Sequence, residues 1–305
     1  VKTPGKLGYC FGVSQAIEKA VAFAEENGPL NSLGPLAHNE DVVAYLREHR
    51  VTPITMEEVL STAVGMNVGI TAHGAPPETY DTLKERGCQV LDCTCPIVRK
   101  AQAVVSQLMD GFDVVIFGDP DHQEVLGLNG WAGGAKFVGT FNDLFTAGQG
   151  YKRLGLGKRV GVISQTTQIP PLFVDFVTTV AHIIERERFQ ELRVFNTICP
   201  IVAARARKTN ELAKRVDLML VVGSLESANT ANLATVAKPG AGADNVLIIQ
   251  NADQVTAALG NWYAEAGFPS REAVETSFRI GITAGTSTPI KTVNEVVAQV
   301  KEIFE

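Results

Sequence analysis

The chain has 305 residues, of which 45% are hydrophobic and 20% charged, which supplies ample core material and excludes a disordered chain. A net charge of −6 without any basic run disfavours nucleic acid and anionic membranes as partners. No apolar stretch has the length of a membrane span, no signal peptide is visible, and five cysteines, an odd number, argue against a disulfide framework and for a reducing compartment.

Taken in chain order, Lys6 to Tyr9 is expected as a strand that delivers Cys10. A helix follows, with Val13, Ile17, Ala20, Val21 and Ala24 on one face, Ser14 as N-cap and Gly28 past the end. A glycine loop comes next, Gly34-Pro-Leu-Ala-His38-Asn-Glu40, then a strand-to-helix joint at Pro53-Ile-Thr55-Met, then Gly69-Ile-Thr-Ala-His73-Gly running into Pro76-Pro77. A strand at Gln89 to Leu91 leads to Asp-Cys93-Thr-Cys95-Pro, and a helix with Val98, Ala101, Val105 and Leu108 on one face ends at Gly111. The order then repeats. Val114 to Phe117 reads as a buried strand, followed by Gly118-Asp119-Pro-Asp-His122-Gln-Glu124, the joint Gly139-Thr140-Phe-Asn142, Gly161-Val-Ile-Ser-Gln165-Thr-Thr and Pro170-Pro171. A strand at Arg193 to Phe195 leads to Asn-Thr-Ile-Cys199-Pro, and Leu218 to Val222 to Gly223-Ser-Leu-Glu-Ser227-Ala-Asn229. Val246 to Ile249 opens a third joint, and Gly281-Ile-Thr-Ala-Gly285-Thr-Ser287 precedes Pro289. Gly127 to Gly150 reads as a loop-rich excursion within the second copy, and Lys238 to Asp244 as a Gly/Pro loop.

Each cysteine is followed after 23 or 24 residues by its glycine loop, and the copies lie about 85 to 105 residues apart, a domain-sized spacing. The expected division is 11–95, 96–198 and 199–305, with 1–10 joining the third repeat, and each repeat is an α/β unit with a small, mainly parallel sheet. Ligands of such sheets sit beyond the carboxyl ends of the strands, where all the polar landmarks fall. His38 and His122 hold equivalent places, with Ser227 and Asn229 in the third copy. His73 is aligned with Gln165 and Gly285, with Thr166, Thr167, Thr286 and Ser287 just beyond. His49 and His182 fall in helical patterns and carry no expectation.

Chemistry follows from the residue types. Cys95 and Cys199 precede proline, so they stand at helix N-termini, where the dipole favours a thiolate. Three thiolates suit an iron–sulfur cluster or zinc, and three ligands on a four-iron cluster leave one iron open to substrate. Cys93 is read as a packed small residue, with a fourth ligand as the alternative, and Cys88 as structural. Imidazoles, hydroxyls and an amide beside glycines suit an anion such as a diphosphate. Glu124, buried beside such a centre, would have a raised pKa and serve as proton donor, while Glu40 holds the parallel place in the first copy.

In order, Gly-Tyr-Cys10-Phe-Gly-Val, His38-Asn, Ala72-His73-Gly, Thr94-Cys95-Pro, His122-Gln-Glu124-Val, Gln165-Thr-Thr, Thr197-Ile-Cys199, Gly223-Ser, Ser227-Ala-Asn229 and Thr283-Ala-Gly-Thr-Ser287 resemble the 4-hydroxy-3-methylbut-2-enyl diphosphate reductase family over essentially the whole chain. The resemblance implies three pseudo-threefold-related α/β domains around a central [4Fe-4S] cluster held by Cys10, Cys95 and Cys199. It also implies diphosphate contacts from His38, His73, His122, Ser227, Asn229 and Ser287, with Thr167 in the same loop, and a proton relay from Glu124 and Thr166. The implied reaction is a two-electron reductive dehydroxylation of a small allylic diphosphate to isopentenyl and dimethylallyl diphosphate. Electrons would come from a ferredoxin or flavodoxin, because no flavin or nicotinamide motif is present. A cytoplasmic location, or the stroma of a plastid, goes with it. The departures are Asp119 where the family has a histidine, Ala228 where it has a second serine, Cys93 where it has alanine, and Pro200-Ile-Val after the third cysteine. They leave room for a paralogue that removes a hydroxyl from another anionic substrate. A non-catalytic cluster protein or redox sensor is the alternative from a different class.

Overall fold

In this computed structural model, residues 1–62, 64–146, 150, 151, 153–186, 189–265 and 278–304 are described. Helices and strands alternate. The first sheet comprises β1 (Leu30–Leu33), β2 (Val51–Ile54), β3 (Asn67–Ile70) and β4 (Gln89–Asp92), ordered β2-β1-β3-β4. The second contains β5 (Asp113–Phe117), β6 (Phe137–Gly139), β9 (Arg159–Ser164) and β10 (Glu191–Val194), ordered β6-β5-β9-β10; a short antiparallel pair, β7 (Phe145–Thr146) and β8 (Gly150–Tyr151), lies between β6 and β9 in the chain. The third has β11 (Leu218–Val222), β12 (Val246–Ile249) and β13 (Ile280–Ala284), ordered β12-β11-β13. All pairings within these three sheets are parallel.

The three orders are one order. The fourth place in the third sheet is taken by Lys2, which bridges Gly281 in parallel, with Lys2 N donating to Ile280 O and Ile282 N to Lys2 O. The strand expected at Lys6 to Tyr9 is absent: these residues are irregular. Pro4 has no N–H to give a ladder, and Gly5 and Gly8 adopt φ of +108° and +96°, outside the strand region.

The helices are α1 (Phe11–Asn27), α2 (Glu40–Glu48), α3 (Met56–Ser61), α4 (Pro77–Glu85), α5 (Pro96–Leu108), α6 (Gln123–Trp131), α7 (Pro170–Glu185), α8 (Pro200–Ala213), α9 (Ala228–Ala241), α10 (Asp253–Glu265) and α11 (Ile290–Phe304). Helix α1 starts directly after Cys10, so Ser14 lies inside its first turns and is not the N-cap. Its end is as expected, with Gly28 at φ +88°. Helix α5 buries Val98, Ala101, Val105 and Leu108. The stretch from Gly127 to Gly150 is not a bare loop. Helix α6 runs through Gly127 and Gly130, a Cβ at Gly130 would strike Pro76, and β6 follows. Nor is Lys238 to Asp244 a loop. Helix α9 passes through Pro239, and Gly240 lets it approach α8, since a Cβ would come within 2.9 Å of Lys214 N. The helix stops at Gly242, φ +92°.

Two compact units contain these elements, Ser14–Leu36 with Tyr45–Cys199, and Val1–Val13 with Ala37–Ala44 and Pro200–Glu305. In the former, Val114, Ile116 and Ile163 of the second sheet pack with Ala101, Val105 and Leu108 of α5, and Val68 and Ile70 of the first sheet with Val59 and Leu83. In the latter, Leu218, Leu220, Val222, Ile280 and Ile282 pack with Val293, Val296 and Val300 of α11. Strand β12 is an edge strand, so of its residues only Ile249 is fully buried.

Candidate active site

In each sheet the strand order reverses between the first and third strands, which opens a crevice beyond their carboxyl ends. Two loops line every crevice, and the main chain holds them alike. Gly34 N donates to Ile54 O at 3.0 Å, Gly118 N to Gly139 O at 3.0 Å and Gly223 N to Ile249 O at 2.9 Å. In the second loop, Gly74 N donates to Thr71 O, Gln168 N to Gln165 O and Thr288 N to Gly285 O. These bonds fix the equivalence: Thr71 matches Gln165 and Gly285, so His73 matches Thr167 and Ser287. The alignment of His73 with Gln165 and Gly285 was therefore two residues out of register. The three threonine- and glycine-rich runs allow a slip that only the turn bonds resolve.

The cysteines obey the same rule. Each immediately precedes a helix, α1, α5 or α8, and its N–H donates to the loop beside it: Cys10 N to Thr286 O at 3.0 Å, Cys95 N to Ala72 O at 3.0 Å and Cys199 N to Thr166 O at 2.8 Å. The three acceptors are themselves equivalent residues. All three thiols are half-buried and none is in a disulfide. Cys10 lies in the unit of the third sheet, and Cys95 and Cys199 in the unit of the first two. Among the described residues no three His, Cys, Asp or Glu side chains gather as a single-ion site. The fit to an iron–sulfur cluster therefore rests on the donor set: three thiols, soft donors once deprotonated, each at a helix N-terminus.

Cys93 is different. Strand β4 ends at Asp92, so Cys93 and Cys95 do not share a strand face. Cys93 is 4% exposed, its Sγ points to Ala16 O at 3.8 Å, and burial pushes its pKa up to about 11. A thiol held protonated in this way is a poor ligand. Cys93→Ala is expected to keep full iron loading and turnover at a stability cost of about 1 kcal/mol; iron loss on this substitution would overturn that assignment.

Around the second sheet the polar landmarks do assemble. His122 caps α6, its Nδ1 accepting from Glu124 N at 3.1 Å, which leaves the neutral ring's proton on Nε2. The rings of His73 and His122 meet edge to face, 5.2 Å apart. Thr71 Oγ1 lies 3.4 Å from His73 Nδ1. Glu124 is 1% exposed and receives two bonds from one residue, Thr166 N at 2.6 Å and Thr166 Oγ1 at 2.8 Å. Burial raises its pKa to about 7, against the opposing pull of the two Thr166 bonds. Glu40, its counterpart in the first copy, is exposed, so the carboxylate's position alone does not set its chemistry. Thr167 Oγ1 accepts from Gln165 Nε2 at 2.8 Å, and Gln165 Oε1 accepts from Asp119 N and from Gln168 Nε2, both at 3.1 Å. Gln165 and Gln168 thus stiffen the loop carrying Thr166, a role the sequence reading did not assign to them.

Near the third sheet, Ser227 caps α9 and accepts from Thr230 N at 3.4 Å. Asn229 is 3% exposed, and neither its amide oxygen nor its nitrogen has a hydrogen-bond partner among the described residues. A buried amide with both ends unsatisfied is costly unless a ligand completes it. Asn229 occupies the place of Glu124. Ser287 and Thr286 are buried in the adjoining loop, and Thr288 Oγ1 donates to Val222 O at 3.0 Å. His38 belongs to the same unit; burial lowers its pKa, and the exposed Glu226 partly offsets this. Arg205 was not anticipated. It is buried in α8, and its guanidinium donates to Gly8 O and Ala284 O, both at 3.0 Å, which ties the approach to Cys10 to β13. An arginine in register with Val202, Ala206 and Thr209 on the buried face of α8 was the available signal.

Gly74 sits in the turn that carries His73, at φ +75°, and a Cβ there would run into Gln102 Nε2. Gly74→Ala is expected to cost about 1–3 kcal/mol, read as a lowered midpoint in urea.

Fold and site together define an α/β protein of three small parallel sheets whose loops present helix-end thiols, histidines and a buried carboxylic acid to ligand crevices. A family model described as LytB protein matches residues 1–301. The chain belongs to this LytB family, the family of 4-hydroxy-3-methylbut-2-enyl diphosphate reductase. Curated relatives of that name include one from Dehalococcoides mccartyi strain 195, 37% identical over 300 residues, covering 97% of this chain and 95% of the relative. Another, from Caldanaerobacter subterraneus subsp. tengcongensis, is 33% identical over 301 residues, covering 97% and 94%. The solved structure of (E)-4-hydroxy-3-methyl-but-2-enyl diphosphate reductase, the terminal enzyme of the non-mevalonate pathway, matches with a TM-score of 0.63 at 30% identity, covering 99% of each chain. The structure of E-1-hydroxy-2-methyl-but-2-enyl-4-diphosphate reductase from Plasmodium falciparum shares the fold, with a TM-score of 0.78 at 20% identity, covering 97% of this chain and 86% of that one.

Proposed function

We propose that this chain is a 4-hydroxy-3-methylbut-2-enyl diphosphate reductase that yields isopentenyl and dimethylallyl diphosphate by two-electron reductive dehydroxylation. The observation that carries the proposal is the Glu124–Thr166 pair, a buried carboxyl with a pKa of about 7 at the mouth of the second crevice. Loss of an allylic hydroxyl requires a proton on the leaving oxygen, and a carboxyl half-protonated near neutral pH donates one readily. Thr166 Oγ1 donates to Glu124 Oε2 and can accept in turn, so it passes the proton outward and is reprotonated from Glu124. Cys10, Cys95 and Cys199 would hold a [4Fe-4S] cluster with one open iron, in three α/β repeats bounded near Cys95 and Cys199. When bound, that cluster supplies electrons and a Lewis-acidic iron. His38, His73, His122, Thr167, Ser227, Asn229 and Ser287 bind and orient the diphosphate, for which the unsatisfied Asn229 amide and the imidazole N–H groups provide donors. Among the described residues no helix is long and apolar enough to cross a membrane. The reading places the enzyme in the cytoplasm, or in a plastid stroma if the source is photosynthetic, with a ferredoxin or flavodoxin as donor.

A second reading, a paralogue acting on another anionic substrate, is favoured by one feature: Asp119 is exposed in the loop of His122 and adds negative charge there. A non-catalytic sensor has no use for a carboxyl whose pKa burial raises to about 7. Anaerobic turnover with a reduced low-potential dye decides between them. The two five-carbon diphosphates at an enzymatic rate are expected; an intact cluster without turnover would transfer the case to the paralogue.

A further inference from the structure

Within the unit of the third sheet, a cavity of about 310 Å³ is floored by Pro4, Leu7, Pro200 and Ile201 and rimmed by Lys6 and Lys208. No Asp or Glu lines it, on a chain whose net charge is −6. Both lysines are exposed, Ile201 is 40% exposed, and Lys208 reaches back over the backbone of Gly5. Leu7 lies three residues before Cys10, and Pro200 directly follows Cys199. Arg205 at the back of the cavity is already engaged by Gly8 O and Ala284 O. These two bonds commit part of its guanidinium to the main chain of the wall.

We propose that this basic-rimmed apolar pocket is the docking site of an acidic one-electron carrier protein that reduces the enzyme. The inference rests on the reductase reading above. Reductive dehydroxylation takes up two electrons and two protons per substrate and releases water, so two reduced carriers must each give one electron per turnover. The walls lead by the shortest stretches of chain to two of the three cysteines. An apolar floor flanked by two exposed lysines suits a protein partner, whose apolar side chain fills the pocket while its acidic surface meets the lysines. A lipid headgroup or free phosphate would leave the floor unmatched.

The test uses reconstituted enzyme and an acidic [2Fe-2S] ferredoxin, with Lys6→Glu/Lys208→Glu as the variant and Lys84→Glu, on the exposed face of α4, as control. Binding is followed by calorimetry at low salt, and turnover with reduced ferredoxin and, separately, with the dye. The double variant is expected to weaken binding and raise the KM for ferredoxin by about tenfold or more, with a flatter salt dependence. Dye-driven turnover and the Lys84→Glu control should not change. Unaltered ferredoxin binding in the double variant, no binding by the unmodified protein, or an equal loss of dye-driven turnover would each overturn the docking site. Absence of dye-driven turnover in the unmodified protein would instead count against the reductase reading, and the binding measurement would still decide the docking site.

Discussion

Glu124→Gln is expected to lower turnover by about 10²–10⁴-fold while leaving iron content and visible spectrum unchanged. The substitution keeps the geometry. The amide oxygen can still accept from Thr166 N, and the amide nitrogen can donate to Thr166 Oγ1, so only the transferable proton is lost. A second readout separates this chemical role from a structural one. The folded pKa of Glu124 is about 7, above its ordinary 4.5, so the native state holds a proton that the unfolded chain releases. Its contribution to stability is complete below about pH 4.5 and is lost as pH rises through 7, by about 3 kcal/mol. The Gln variant should lack this slope, and it should match or exceed the unmodified protein in stability at pH 8. Near-normal turnover in the variant would remove Glu124 from the mechanism.

Replacing Cys10, Cys95 or Cys199 singly by Ala should abolish turnover and remove the visible absorption of the reconstituted protein. Each thiol has the same main-chain anchor, so the three losses should be alike in size. That equality is the informative part. A protein whose iron survives the loss of one of them, or in which Cys93 proves as necessary, would refute the three-ligand count. Secondary structure by circular dichroism should persist in all three variants, because the thiols lie outside the sheets and the anchoring N–H groups remain.

Much of this was legible in the residues. The buried runs Val114–Phe117 and Leu218–Val222 form central parallel strands because their neighbours cover both faces. The glycine loops and cysteines fall at strand ends because parallel connections return every strand to the same side. What escaped the reading had local causes. Positive-φ glycines break the segment before Cys10, so its place in the sheet passes to Lys2. Gly130 and Gly240 look like loop residues but stand where helices approach neighbouring chain too closely for a Cβ. The difference between Glu124 and Glu40 is one of burial, which periodicity does not reveal. Arg205 acts through the carbonyls of Gly8 and Ala284, and Gln165 in part through Asp119 N, partners far away in sequence.

The pairing of Lys2 with Gly281 also bears on how the molecule is made. Cys10 is the first of the three cysteines to be synthesised, yet Thr286, the residue that anchors it, is the last of the three anchors to be made. The first two sheets can form while the chain is still growing, but the third lacks its edge until β13 has emerged and the chain's start has folded back across nearly the whole sequence. The set of thiols is therefore complete only in the finished polypeptide. If the three thiols hold iron as proposed, a nascent chain that lacks Thr286 would offer it two anchored cysteines, not three.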